Sequence, residues 1–561
     1  MTTSLLLAAL AVAAAATPAR ARQSSDLSDK IETDLEAWDI EGARRGLDAL
    51  LQDDRSSAVA AFLQGRVLFE QGEYDAAAKQ FEEAVRRGAP PGDVEMHLRL
   101  ARATAEEVKS DEVHESAHFV LRTRPGKDAL LVPYALEGLE QAYAALTKDL
   151  GVSPPAKIRV EVYESAQALS RVSPLTVAEI KASGTIALCK YNRLMITSPR
   201  ALLRGYAWQD TLSHEFAHYL VTQKGRNTVP IWLQEGLAKF LETRWRGSPG
   251  LAVDEMSLVL LHKAAKDNKL IPFAAMHPSI AKLPTQEAAA LAFAEVEAAI
   301  RLLYVRGGQQ ALTELVAAMA SGAADEKAVS LAYGKSFPQF EKEWRESLKD
   351  LRKDAQAQAP GAARPLERKT LVFKEDAKGA AKQGGDAPGE RPNDPEAKRS
   401  VRLGEIFYGR RRWAAAAHEY GKARARMSHE IPQVARRYAF AQVQLGHLGE
   451  AESALSSAAQ RDPQDEAVQV LYAHVLQKKG EPQKAKAALD AGIAVDPFDP
   501  ELHDVYLRVA RDLKNPALEK REEEALAIAL GRKVKAVPGG LEGAEKSMGE
   551  GPEAAPKEGQ Q

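Results

Sequence analysis

Apolar positions follow three different rhythms along this chain. Leu5 to Ala16 form an unbroken apolar run of twelve. HFVLRT at 118–123 and KIRVEVY at 157–163 alternate with a period of two, as half-buried strands do. TIALCKYNRLMITS at 185–198 reads as two such runs joined into a hairpin. Elsewhere apolar residues recur at three- and four-residue spacing, which predicts helices. One of these stripes is Leu212, Phe216, Tyr219 and Leu220, which would bury a helix over 211–220. TVPIWLQEGLAKFLE follows it, with Pro230 placed to open another helix.

A longer period lies over these local ones. Gly446, Ala451, Leu455, Ala458 and Pro463 recur as Gly480, Ala485, Leu489, Gly492 and Pro497, a spacing of 34 residues. Leu403, Gly404, Phe407, Ala416, Tyr420 and Ala423 form an earlier unit. Near the N-terminus Gly65, Gly72, Tyr74, Ala77, Phe81 and Ala84 keep the same offsets, after a weaker copy around Trp38, Ala43 and Leu47. Small residues at these places let two antiparallel helices approach, and the large ones fill the space between pairs. Both arrays resemble tetratricopeptide repeats.

These patterns divide the chain into six parts. They are a signal peptide at 1–21, repeats over 26–110, a mixed strand and helix domain at 111–355, a disordered linker at 356–395, repeats with capping helices over 396–530, and a disordered tail at 531–561. The run at Leu5–Ala16 is too short to span a bilayer comfortably, and Ala19-Arg20-Ala21 supplies an A-x-A cleavage site. No Lys or Arg precedes the run, so the terminal amine alone carries the positive charge there. The expected destination is periplasmic or extracellular, with no transmembrane helix left after cleavage.

Composition narrows the picture further. Hydrophobic residues make up 45%, charged residues 27% and aromatics only 6%, as stacked helices favour. A net charge of −2 with no dense basic stripe argues against nucleic acid as a partner. The single cysteine, Cys189, excludes an internal disulfide framework and lies too far from the N-terminus to be a lipid anchor. It falls in the expected edge hairpin and is read as a small buried hydrophobe.

Candidate chemistry sits in the central part, which holds the pattern H-E-x-x-H twice, as HESAH at 114–118 and HEFAH at 214–218. Two histidines four apart on a helix project from one face and can chelate one ion, but a third ligand must come from elsewhere. For His214 and His218 the flanks continue as helix. Glu235 lies seventeen residues beyond His218, and Glu242 two turns further on the same face. For His114 and His118 the chain runs directly into the alternating HFVLRT, and a strand would destroy the i, i+4 geometry. Glu137, nineteen residues after His118, therefore does not complete a site.

HEFAHYL followed by VPIWLQEGLAKFLE resembles the gluzincin metallopeptidases, and especially their peptidase-MA-like members. That resemblance implies one Zn²⁺ per chain held by His214, His218 and Glu235, with Glu215 as general base and Glu242 orienting a ligand. It also implies an antiparallel edge strand before the metal helix that pairs with extended substrate, a part assigned to RLMITS. Gluzincins commonly place a Tyr or His as oxyanion donor. Tyr304, His262 and His277 are available for this, with Tyr304 the choice, while LAFAEVEAAI carries Phe293 where a phenol would be expected. The expected fold is α+β, a gluzincin-like domain with a small antiparallel or mixed sheet between two all-α repeat arrays. The expected function is zinc-dependent hydrolysis of a peptide or protein substrate, with the repeats holding a protein partner or substrate. The alternative is a catalytically silent repeat scaffold for the cell envelope.

Overall fold

The computed structural model describes residues 18–53, 56–247, 253, 255–277, 279–280, 283–358, 371–374 and 392–532. The expected signal run at Leu5–Ala16 and the tail from 533 onward lie outside these residues. Ala19-Arg20-Ala21 falls at the start of a helix, Pro18–Glu36. Among the described residues no helix is long and apolar enough to cross a membrane.

Five helices open the chain: α1 (Pro18–Glu36), α2 (Ile40–Asp53), α3 (Ala58–Gln71), α4 (Tyr74–Arg86) and α5 (Pro91–Val108). They pack as antiparallel pairs because the small positions Ala43, Ala77 and Ala84 are fully buried and Phe81 fills the gap between them. A mixed sheet follows, built from β1 (Glu112–Glu115), β2 (Phe119–Thr123), β3 (Ile158–Tyr163), β4 (Ala187–Lys190) and β5 (Arg193–Thr197). Its order is β1-β2-β3-β5-β4, with β2, β3 and β5 parallel and the outer pairs antiparallel. RLMIT is therefore an interior strand, contrary to the expectation that it forms the edge, and all five of its residues are buried. The edge is β4, the other arm of the same hairpin.

Helices α6 (Leu131–Leu150), α7 (Ala166–Val172) and α8 (Val177–Ser183) connect the strands. Beyond the sheet come α9 (Trp208–Gly225), α10 (Ile231–Leu241), α11 (Glu255–Lys266), α12 (Gln286–Ala320), α13 (Asp325–Tyr333) and α14 (Phe337–Gln358). α9 packs on β4 and β5, while α6 covers β2. α12 is two helices joined at a kink at Gly308.

The N-terminal array is tied to the sheet by buried charge. Arg193 and Glu161 pair at 2.8 Å, both wholly inaccessible. Tyr74 of α4 accepts from Arg193 at 2.6 Å and from Arg159 at 2.9 Å, and it donates to Glu161. A buried ion pair survives only when its remaining hydrogen-bonding capacity is met. Here a repeat tyrosine meets part of it, so repeats and sheet share one interior.

The second array comprises α15 (Pro395–Gly409), α16 (Trp413–Arg426), α17 (Pro432–Gln444), α18 (Leu448–Arg461), α19 (Glu466–Lys478), α20 (Pro482–Ile493), α21 (Pro500–Asp512) and α22 (Pro516–Ala529). Its first repeats have small cores of their own, around Ala416 and Tyr420 and around Ala451 and Leu455. Its last helices merge with the main core through Ile493, Leu502 and Tyr506. Arg521 pairs with Glu137 at 2.9 Å, and Tyr134 of α6 donates to Glu522 at 2.9 Å. Part of the expected linker is also packed. Phe373 is 2% exposed and forms an antiparallel bridge with Leu202. Three consecutive apolar residues, Leu371 to Phe373, interrupt the polar stretch and account for this anchor.

Candidate metal centre

α9 carries His214, Glu215 and His218, and α10 carries Glu235. The chain between them turns through Arg226 and Asn227, both left-handed at φ 50° and 58°, and Pro230 then opens α10. α10 lies against α12 at Gly236, where a Cβ would stand 2.9 Å from the Val296 carbonyl oxygen. Only glycine permits that approach, and it sits directly beside Glu235.

This packing brings three donor atoms together. His214 Nε2 and His218 Nε2 are 3.2 Å apart. Glu235 Oε2 is 3.4 Å from the first and 3.3 Å from the second. Donors bound to a tetrahedral zinc at about 2.0–2.1 Å stand about 3.3–3.4 Å from one another. The triangle matches that spacing, and its two imidazoles and one carboxylate are a donor set suited to zinc. It is the one such cluster of three or more His, Cys, Asp or Glu among the described residues.

Neighbouring groups prepare the donors. His214 Nδ1 lies 3.2 Å from Glu242 Oε2, which favours a proton on Nδ1 and leaves Nε2 free to coordinate. Burial by itself lowers the His214 pKa, but hydrogen bonds to Glu235 and Glu242 and the charge of Glu215 outweigh it and raise it to about 10. Burial likewise opposes the charged form of Glu235, yet the two imidazoles hold its carboxyl far below the usual range. Burial dominates at Glu215 and lifts its carboxyl above the ordinary value, despite both imidazoles and the Cys189 amide of β4 favouring its charge. Glu215 is 7% exposed and so shielded from bulk water, and the Cys189 amide of the edge strand donates to it.

With its pKa raised by the surrounding carboxylates, His214 favours its protonated form until a metal takes Nε2. Near pH 7.5, well below about 10, zinc uptake is expected to release about one proton from this residue per ion bound. Calorimetric titration in buffers of different ionisation enthalpy measures that release. Binding heats that do not change with buffer would contradict the coupling.

Further out, Asp210 stands one turn before His214 and accepts from Trp245 Nε1 at 2.8 Å. Trp245 follows Glu242 closely, so this bond braces the segment that carries the outer carboxylate. Asp210 was not expected from the sequence: it has no motif signature, and its i, i+4 offset to His214 is the one signal that could have marked it. Trp38, from the α1–α2 turn, stacks on Tyr219 at 5.4 Å and brings the first repeat against α9.

Other expected residues are not drawn in. Phe293 faces His214 with ring centroids 6.5 Å apart. Tyr304 packs on Phe240 instead, eleven residues beyond Phe293 on the same helix, which is about 16 Å of rise. His262 lies on α11, and His277 follows a 3-10 turn at Phe273–Met276. The second H-E-x-x-H is dispersed. His114 is on β1, while His118 precedes β2, stacks on Tyr143 at 3.7 Å and binds Glu140 at 2.6 Å.

Residues 138–350 match the peptidase MA superfamily. Residues 34–93, 62–111 and 442–508 match tetratricopeptide repeats. The protein thus carries a metallopeptidase-type, peptidase MA superfamily domain flanked on both sides by tetratricopeptide repeats, as its sequence led one to expect. No curated protein matches the chain by sequence. Among solved structures it is similar to yeast LTA4 hydrolase in complex with bestatin, with 11% identity, a TM-score of 0.28, and coverage of 75% of this chain and 66% of that one. Native yeast LTA4 hydrolase matches with 11% identity and a TM-score of 0.27, over 74% and 66% of the two chains. The chain thus spans just under two thirds of the length of those hydrolases.

Proposed function

We propose that this protein is an exported zinc peptidase whose repeat arrays hold a protein substrate or partner. The observation that carries the reading is the donor triangle of His214, His218 and Glu235, with sides of 3.2 to 3.4 Å and Glu215 beside it. Zinc bound there would supply Lewis acidity towards a water and a scissile carbonyl. Glu215, its proton affinity raised by burial, takes the proton from the attacking water and passes it to the leaving amine. The outer side of β4 offers backbone groups to an extended peptide and would align its carbonyl with Glu215. Glu242 holds the His214 ring in place throughout. The apolar run at Leu5–Ala16 and the A-x-A site support export, and the paired repeats support a protein partner.

One observation favours a second reading, a silent scaffold. Phe293 rather than a phenol faces His214. Removal of metal separates the two. A peptidase is expected to lose cleavage of a mixed-sequence peptide library on dialysis against a chelator and to regain it with one equivalent of zinc. No cleavage by the zinc-loaded chain would leave the scaffold. Running N-terminally blocked and free peptides side by side also assigns endopeptidase or aminopeptidase action.

A further inference from the structure

The first N–H groups of a helix have no partners within it. α9 begins at Trp208 after Ala207, which provides no side-chain cap. The Trp208 amide donates locally to Tyr206 O at 2.7 Å, and the start is also met from the C-terminal repeats. The turn between α20 and α21 directs three successive carbonyls at it. Ile493 O accepts from Trp208 Nε1 at 2.7 Å, Ala494 O from the Trp208 amide at 3.1 Å, and Val495 O from the Tyr206 amide at 3.1 Å. Trp208 is completely buried. Gly205 is left-handed at φ 64°, and a Cβ there would stand 2.3 Å from Val495 O. The same loop receives the inter-domain segment, since the Leu203 amide donates to Val372 O at 2.8 Å.

Trp208 and Glu215 are seven residues apart, two turns on one helical face that also holds Leu212 and Tyr219. A helix is stiff along its axis, so a shift at Trp208 moves the side chains two turns on. We infer that the turn Ile493–Asp496 is the cap of the metal helix, with Trp208 a positioning residue that couples the C-terminal repeats to the metal centre. Its affinity readout rests on the proposed metal site, whereas its readout of helix opening does not. By linkage, a partner that changes the set of α20 against α21 changes metal affinity, and bound metal changes affinity for that partner by the same factor.

The test uses the full chain with Trp208→Phe, which keeps an aromatic ring and deletes the indole donor, and Gly205→Ala as a second probe. Tyr420→Phe, which loses a hydroxyl bond to Glu405 in the first C-terminal repeat, is the control. Trp208→Phe is expected to speed amide exchange across residues 208–213. It should also weaken zinc binding about 3- to 10-fold in competition with a chromophoric chelator, below the 10–100-fold typical of a direct outer partner. The control should change neither. In unaltered protein, the Tyr206 and Trp208 amides are expected to open together with those of α20 and α21 as denaturant rises, a result needing no variant. Wild-type exchange in Trp208→Phe, unchanged zinc affinity despite faster exchange, or independent opening of the two segments each overturns the coupling. If no form takes up zinc, the metal reading fails and the exchange rates alone decide the cap.

Discussion

Glu215→Gln is expected to lower peptide cleavage by about 10²–10⁴-fold, the range a positioned general base contributes, while one metal ion per chain stays bound. The amide keeps the volume of the carboxylate, and Glu215 is outside the donor triangle, so neither packing nor coordination is lost. What disappears is the ability to hold and return a proton next to the edge strand. The measurement pairs kcat/KM on a cleavable peptide with metal content and the thermal midpoint of the same preparation. A variant that cleaves at the wild-type rate with full metal would remove Glu215 from the mechanism. One that loses its metal would instead place Glu215 among the structural supports of the site.

Much of this architecture was legible because the features are local. A 34-residue period records where helices must touch, and the pairs Ala451 and Ala485, and Leu455 and Leu489, are fully buried as that period requires. The donor triangle was legible for a similar reason, since i, i+4 on a helix fixes two vertices and the helix after Pro230 presents the third. The same logic separated HEFAH from HESAH, whose histidines flank a strand junction.

What escaped was set by partners distant in the chain. Alternation cannot tell a central strand from an edge one. RLMIT even begins with an arginine that reads as solvent-facing, yet Arg193 is wholly buried, with Glu161 and Tyr74 accepting from one end of its guanidinium and the Val172 carbonyl from the other. β1 is four residues of mostly exposed polar sequence and carries no strand signature until it pairs with β2. The cap of α9 is made by backbone carbonyls, which no side-chain pattern announces. Tyr304 shares α12 with Phe293, but its packing on Phe240 follows only from how α10 lies on that helix.

His214→Ala is the sharpest probe of the centre itself. Removing one vertex leaves a single imidazole and a carboxylate, and the loss should exceed the 10–100-fold that an outer partner costs. Zinc per chain after dialysis is expected to fall from about one to near zero, whereas His114→Ala should retain the full amount. The substitution also acts on the metal-free protein. His214 is the group that Glu242 contacts at 3.2 Å and one of two imidazoles beside Glu235, so its loss leaves carboxylates short of positive charge in a largely buried place. His214→Gln, which keeps polar contact with Glu242, therefore accompanies it, and both are compared by circular dichroism before metal is counted. Folded His214→Gln without zinc, beside His114→Ala with it, would assign the ion to α9. Zinc retained by a folded His214 variant would sink that assignment, and its loss in His114→Ala would mean that the strand junction, not the helix, holds the metal.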